Sequence, residues 1–231
     1  NAAVPPKISE VLNNLSTFGN PWGLPLTAKV RWEKECKSPI PDYTKSRNEY
    51  LLFVGDAAFI DECKSILKSV AELLQAAGID FGTLKDKEID SGNTAREWGE
   101  YGLFEELSMK NIKLFKEYGV KKVITISPHD YHTFAVNYPQ MGFEFEEIYH
   151  HTQILSDLLK SGKISPAKNV AKTITYHDPC YLGRYHHVFE HPREIINAIP
   201  GVRFVEMKQN RFDSFCCGGG GGRMWYDVPD E

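Results

Sequence analysis

Three cysteines near the C-terminal end are the residues best suited to chemistry. Cys180 follows a short apolar run, Thr173 to Tyr176, and the tripeptide His177-Asp178-Pro179. Thirty-five residues separate it from an adjacent pair, Cys216 and Cys217, which run directly into five glycines, Gly218 to Gly222. Vicinal thiolates can bridge two metal ions or each hold a neighbouring one. Bulky side chains next to a soft metal site block access, whereas glycine lets the backbone approach and adopt positive φ. A CC dipeptide alone carries little information. The spaced Cys followed by Cys-Cys-Gly-Gly-Gly-Gly-Gly carries much more.

Other residues with chemical potential are less specific. Cys63 falls on an apolar helical stripe and is expected to be a small core hydrophobe. Cys36 lies in the charged stretch Glu33-Lys34-Glu35-Cys36-Lys37 and is expected to be an exposed thiol. Histidines come in pairs, His150-His151 and His186-His187, with His191 nearby. His187 and His191 are spaced to share one helix face as a metal pair requires, but no third ligand presents itself. The glycine run lacks the Lys-Ser/Thr of a P-loop and the G-x-G-x-x-G context, which excludes nucleotide binding.

The elements that must position these residues alternate in type. Residues 1–48 form a linker segment with a short helix over Ile8 to Leu15 and a rigid Gly19-Asn20-Pro21-Trp22-Gly23-Leu24-Pro25 turn. Tyr50 to Val54 is a continuous apolar run ending in Gly55-Asp56, the pattern of a buried parallel strand. A helix follows, with Phe59, Ile60, Cys63, Ile66, Leu67, Val70, Leu73 and Leu74 at three-to-four spacing. Ile79 to Leu84 is a second strand, Thr94 to Tyr118 a helix stopped by Gly119, and Val123 to Ile126 a third strand. Helices near 130–138 and 151–161 lead to a second round: strand Thr173 to Tyr176, helix 191–198, strand Val202 to Met207. Strand–helix alternation predicts an α/β fold with Rossmann-like parallel sheets, and functional residues at the carboxyl ends of the strands.

The stretch DPCYLGRY…SFCCGGGGGRMW resembles the cysteine-rich CCG domain of heterodisulfide reductase and its relatives. These include iron–sulfur subunits of glycolate and lactate oxidases and of membrane-bound electron-transfer-flavoprotein:quinone reductases. The family pattern is Cys, a gap in the thirties, Cys-Cys-Gly, a second gap in the mid-thirties, then Cys-x-x-Cys. The resemblance implies that Cys180, Cys216 and Cys217 are metal ligands, three of the five thiolates that hold a non-cubane [4Fe–4S] cluster. His177, Asp178, Gly218 and Gly219 are then cofactor-binding positions around it, and Arg184 and Arg223 are available to neutralise its charge. The last Cys-x-x-Cys has no counterpart before Glu231, so the second domain is expected to be incomplete. The GNPWGLP wording is similar to the family's linker from a ferredoxin-like domain.

Aligning the two halves on this pattern exposes a degenerate first copy. Asp56 takes the place of Cys180, and after 33 residues Asp90-Ser91-Gly92 takes the place of Cys-Cys-Gly. A further 35 residues after Ser91, Ser127-Pro128-His129-Asp130 stands for Cys-x-x-Cys. Every cysteine position is filled by Asp or Ser, hard oxygen donors unsuited to iron–sulfide units. The first half is therefore expected to carry no cluster. Its polar loops are vestigial, hold a hard divalent metal through Asp56, Asp90, Asp130 and His129, or orient an acceptor. Three adjacent carboxylates raise one another's pKa unless solvated, paired or metal-bound. The organisation expected is a linker over 1–48, a degenerate CCG domain over 49–165, and a second CCG domain over 166–231.

Composition narrows the remaining possibilities. At 231 residues with a net charge of −4, the chain has no basic footprint for nucleic acid. No apolar run reaches the length of a membrane span. Five cysteines without a disulfide-scaffold spacing fit a reducing, cytoplasmic compartment. By resemblance the function is electron transfer in an iron–sulfur oxidoreductase. The expected partners are a ferredoxin-type iron–sulfur domain or subunit and a flavoprotein or quinone-linked membrane redox subunit, with a disulfide, quinone or membrane haem at the far end. The alternatives are a structural or docking subunit without a cluster, and metal-free thiol–disulfide exchange at Cys216-Cys217, which the strain of an adjacent-residue disulfide disfavours.

Overall fold

The structure, a computed structural model, describes residues 4–220 and 222–226; Gly221 of the glycine run and both chain ends, Asn1 and Glu231 included, lie outside the described residues. In chain order the helices are α1 (Pro6–Phe18), α2 (Tyr43–Ser46), α3 (Asp61–Ala76), α4 (Asn93–Glu97), α5 (Tyr101–Tyr118), α6 (Pro128–His132), α7 (Tyr138–Gln140), α8 (His151–Lys160), α9 (Cys180–His186) and α10 (Glu190–Ala198). The strands are β1 (Tyr50–Phe53), β2 (Phe81–Gly82), β3 (Lys122–Thr125), β4 (Glu147–His150), β5 (Thr173–Ile174) and β6 (Arg203–Phe204).

The first half forms a four-stranded parallel sheet in the order β2-β1-β3-β4. Successive side chains of a strand face opposite sides, and here both sides are covered, which is why the run Tyr50 to Val54 is apolar throughout. Leu51, Phe53 and Val123 pack with Val11 and Leu15 of α1, Leu107 and Phe115 of α5, Phe134 and Tyr138. Leu52, Val54 and Ile124 pack on the other face with Leu67, Val70 and Leu74 of α3 and Ile154 and Leu158 of α8. The outcome is a doubly wound α/β layer, as the alternation predicts. β5 and β6 pair in parallel as a separate two-stranded sheet, with α10 packed against both β6 and α8.

Several elements differ from the sequence expectation. The helix expected over Thr94 to Tyr118 is broken into α4 and α5 at Gly99, whose φ is 80°. Phe59 and Ile60 sit in and just after a 3₁₀ turn, Gly55–Phe59, instead of in α3. Ile66 and Leu73 on α3 are exposed rather than buried. β4 and α9 were not expected. The Glu147–His150 strand is short and only partly buried, and a cysteine followed by Tyr-Leu-Gly shows no apolar helical period. His187 closes α9 in a left-handed conformation while His191 lies on α10, so the two do not share a helix face.

The linker segment is packed into the first sheet rather than extended into solvent. Val11 and Leu15 are fully buried, and a 3₁₀ segment, Leu26–Glu35, buries Lys29 and Trp32. Asn20 is wholly enclosed; its Nδ2 donates to the carbonyls of Phe18 and Leu24, and its Oδ1 accepts from the amides of Trp22 and Leu24. That bracket explains how the Gly-Asn-Pro-Trp-Gly turn stays rigid. Cys36 is half-buried against the second core rather than exposed, and burial raises its thiol pKa.

Candidate functional site

Chain reversal in a doubly wound sheet opens a crevice at the carboxyl ends of its strands. Asp56 follows β1, Asp90 follows β2, Asp130 follows β3 and His151 follows β4, so all four converge there. Cys180 follows β5 and Cys216 follows β6 in the same way. In both halves the aligned residues follow strands that pair in parallel.

The cysteine side of the site is a loop held by polar bonds. Cys180 opens α9, and Cys216 and Cys217 are both close enough to act on its thiol. Burial, then Cys216, pushes the Cys180 thiol pKa up. Cys216 and Cys217 are exposed, and all three thiols are free. Gly218 adopts φ 75° and donates its amide to Cys216 Sγ at 3.4 Å. Side chains added at Gly218 or Gly219 would meet nothing within 4 Å, so the space beside the thiols is open.

Three groups fix the approach to Cys216. His177 Nε2 lies 2.8 Å from the Phe215 carbonyl. Arg184 donates Nε to the Phe212 carbonyl at 2.9 Å and an amino group to that of Ser214. Ser214 Oγ donates to the Asp178 carbonyl at 2.9 Å. Asp178 itself is engaged below the loop, 2.7 and 2.8 Å from the Arg193 guanidinium and 2.7 Å from the Arg211 amide. Burial pushes the Asp178 carboxyl up, but its bonds to Arg193 and Arg211 outweigh this and hold it below the usual range. Arg223 is exposed and stacks over the Tyr226 ring at 5.7 Å.

The carboxylate side is buried. Asp90 and Asp130 are 5% and 7% exposed. Asp56 and Asp90 lie close enough for the two carboxyls to act on each other. Burial, followed by Asp90, raises the Asp56 pKa well above normal; burial raises that of Asp90, opposed by Asp56 and the Gly92 amide. Asp130 accepts from Ser91 Oγ at 2.6 Å, and burial pushes its pKa up to about 7, with Asp90 and Glu88 adding to the effect.

Beneath these groups lies an ion pair that sequence reasoning missed. Lys29 Nζ is 2.9 Å from Glu88 Oε1, both side chains being 1% exposed. Glu88 in turn accepts from the amides of Val54 and Gly55, fixing the turn that carries Asp56. A lone lysine in a polar linker gave no signal of this.

The two sides meet. α6 packs on α9, with the His129 and Tyr181 rings 4.2 Å apart and His132 Nδ1 3.1 Å from His186 Nε2. The glycine run crosses over the first half: a side chain at Gly220 would lie 2.8 Å from the His129 ring, and one at Gly222 2.5 Å from Trp98 Nε1. Trp225 continues the cover with its ring 5.0 Å from Trp22 of the linker turn. Beneath this roof is a cavity of about 400 Å³, lined by Asp56, Asp90, Asp130, His129, His151, Cys63, Gly219 and Gly220 among others. Cys63 therefore faces the cavity rather than sitting sealed in the core.

The Cysteine-rich domain (CCG) family matches residues 51–135 and 174–230. The chain belongs to this family. It is 44% identical over 223 residues to the probable iron-sulfur-binding oxidoreductase FadF of Bacillus subtilis, covering 94% of the chain and 32% of that protein. It is 36% identical over 230 residues to the EtfAB:quinone oxidoreductase of Syntrophomonas wolfei, covering 97% of the chain and 32% of that protein. A component of the dihydromethanophenazine:CoB–CoM heterodisulfide reductase of Methanosarcina mazei is 36% identical over 191 residues, 80% of the chain and 46% of that component. The chain thus spans from about a third to under half the length of these relatives. No solved structure matches it.

The two sides of the site differ in what they suit. Among the described residues, no group of three or more His, Cys, Asp or Glu is arranged to hold a metal ion by itself, neither the thiols nor the carboxylates with His129. The thiols nevertheless suit an iron–sulfur group as part of a larger ligand set: soft sulfur donors, free, adjacent, beside open space. The carboxyl cluster does not suit one. Its donors are hard oxygens, Asp90 and Asp130 are buried, and Asp130 is already bonded to Ser91.

Proposed function

We propose that this chain is the CCG portion of an electron-transfer iron–sulfur oxidoreductase, with Cys180, Cys216 and Cys217 as ligands of a non-cubane [4Fe–4S] cluster. The observation that carries this is the meeting of three free thiols at the ends of two paired parallel strands, beside open space. When bound, such a cluster supplies one-electron redox chemistry.

The chain's own residues do the positioning. Arg184, His177 and Ser214 set the path of Phe212 to Cys216, while Gly218 donates its amide to Cys216 Sγ and its positive φ turns the chain that follows. Arg193, bonded to Asp178 and Glu206, locks that platform from below. Hydrogen bonds around ligating sulfurs tune reduction potential, a role for which the Gly218 amide is placed. The first half carries no cluster and instead covers one side of the cysteine loop. Partners of this reading are a ferredoxin-type iron–sulfur domain, and a flavoprotein or a quinone-linked membrane subunit through which the protein associates with a membrane. Among the described residues no helix is long and apolar enough to cross one.

Iron and acid-labile sulfide, measured on the native-length protein purified without oxygen, test this. About four of each per CCG pair is the expected result. About eight would assign a cluster to the aspartate side as well. No iron, with normally titrating thiols, would leave a structural or docking subunit.

A further inference from the structure

The cavity between the two halves presents hydrogen-bond acceptors that the fold leaves without donors. Asp56 Oδ1, His129 Nε2 and His151 Nδ1 are each shielded from solvent and make no hydrogen bond among the described residues. All three residues line the same space, beside Asp90 and Asp130. Burial pushes His151 down to about 4 and also lowers His129, so both rings are neutral. A neutral imidazole carries a single N–H. The Thr125 and Ile126 carbonyls act on the His151 ring; Nδ1 has no partner, so they hold the proton on Nε2 and leave Nδ1 an acceptor. Glycine at 220 keeps His129 Nε2 uncovered, because a Cβ there would lie 2.8 Å from it. A shielded acceptor without a donor is costly. A ligand that completes this bonding brings N–H groups of its own.

Charge narrows the ligand further. Among the described lining residues there is no lysine or arginine, and Lys29 beneath is committed to Glu88. With that pair cancelled, Asp56, Asp90 and Asp130 have no counter-charge. An anion is repelled here, whereas a cation allows a carboxyl to ionise. A metal ion does not meet the need. No three of the described His, Cys, Asp or Glu residues are arranged around one point as a metal requires. The same spread disfavours an alkylammonium, whose donors all radiate from one nitrogen.

An amidinium or guanidinium fits the spread, being planar and delocalised with its N–H donors on separate nitrogens. Such a plane also suits an aromatic wall. The Trp22 and Trp225 rings, packed edge to face on each other, supply one. A volume of about 400 Å³ holds this head group with a small apolar body lying against Ala57 and Ile60.

We infer that this cavity binds a small planar cation of the amidinium or guanidinium class, its N–H groups bonded to Asp56 Oδ1, His129 Nε2 and His151 Nδ1. Filling it requires no cluster, so this inference and the electron-transfer reading fail on different results. Binding is linked to protons. Asp56 faces Asp90, Asp130 and Lys29, and Asp130 faces Asp90, Glu88 and Lys29. Burial raises the Asp56, Asp90 and Asp130 carboxyls and keeps protons on them while the cavity is empty. The cation displaces protons, so affinity rises with pH.

Calorimetric titration of the native-length protein with benzamidine tests this. Saturable binding at one site is expected, tightening between pH 6 and 8 by up to about tenfold per pH unit for each proton released. Benzamide, of the same outline but neutral, and phenyltrimethylammonium, a cation without N–H groups, should each bind about tenfold or more weakly. Asp56→Asn should weaken benzamidine about tenfold, and Ala57→Trp, which fills the cavity, should abolish its binding. Both variants are checked by thermal melting. Absence of saturable benzamidine binding overturns the inference. So does equal binding of benzamide or phenyltrimethylammonium, an affinity that falls as pH rises, or undiminished binding to folded Ala57→Trp. Tighter binding of a short arginine peptide than of benzamidine also overturns it, since the cavity would then serve a protein partner.

Discussion

Replacing Asp130 with Asn should make the protein's stability markedly less sensitive to alkali. Asp130 is 7% exposed, beside Asp90 and near Glu88, and its carboxyl is pushed up to about 7 by burial first. In the unfolded chain an aspartate titrates near about 3.9. A raised native pKa means the unfolded state loses its proton first as pH climbs. The contribution is thus fully present below about pH 4 and is lost progressively as pH rises to about 7. With about 1.36 kcal/mol for each pH unit, the loss attributable to Asp130 amounts to about 4 kcal/mol. Asparagine keeps the oxygen that accepts from Ser91 Oγ but does not titrate. Urea unfolding of both proteins at pH 4, 5, 6, 7 and 8 measures the difference. The variant should gain on the parent by up to about 4 kcal/mol across that range, most steeply between pH 5 and 7. A gap that stays constant with pH would refute the assignment of a buried, protonated carboxyl at this position.

Two further outcomes concern the cysteine platform. Arg193→Met leaves Asp178 buried without its bidentate partner and should cost about 3–5 kcal/mol in urea unfolding; a cost under about 1 kcal/mol would mean that the pair is solvated in the native state. In the chain freed of iron, alkylation followed by mass spectrometry should label the exposed Cys216 and Cys217 well before Cys36 and Cys63, whose thiols burial holds up. Equal rates at all four would contradict the packing of Cys36 and Cys63.

Local patterns carried a large part of the fold. The apolar run from Tyr50 to Val54 could only be a strand covered on both faces, and the α3 stripe could only be a helix lying on one of them. Gly119 stops α5 as expected, with φ 67°. What failed locally failed for local reasons: β4 is short and half-buried, and α9 has no apolar period. Gly99 divides a stretch whose helical spacing continues on both sides.

The sequence by itself determined which atoms are available and where along each strand they fall. The spacing of Cys180, Cys216 and Cys217, and of Asp56, Asp90 and Asp130, was enough to place both sets after strands, because a parallel strand delivers its carboxyl end to one edge of the sheet. Tertiary structure decided what those sets face. Lys29 reaches Glu88 across 59 positions, Trp22 meets Trp225, and Gly220 crosses His129. None of these meetings leaves a mark in composition or period, since each depends on how separately formed layers pack. The glycine run shows the division most clearly. Its residue type announced a close approach, but only the packed chain shows Gly220 and Gly222 approaching the first half.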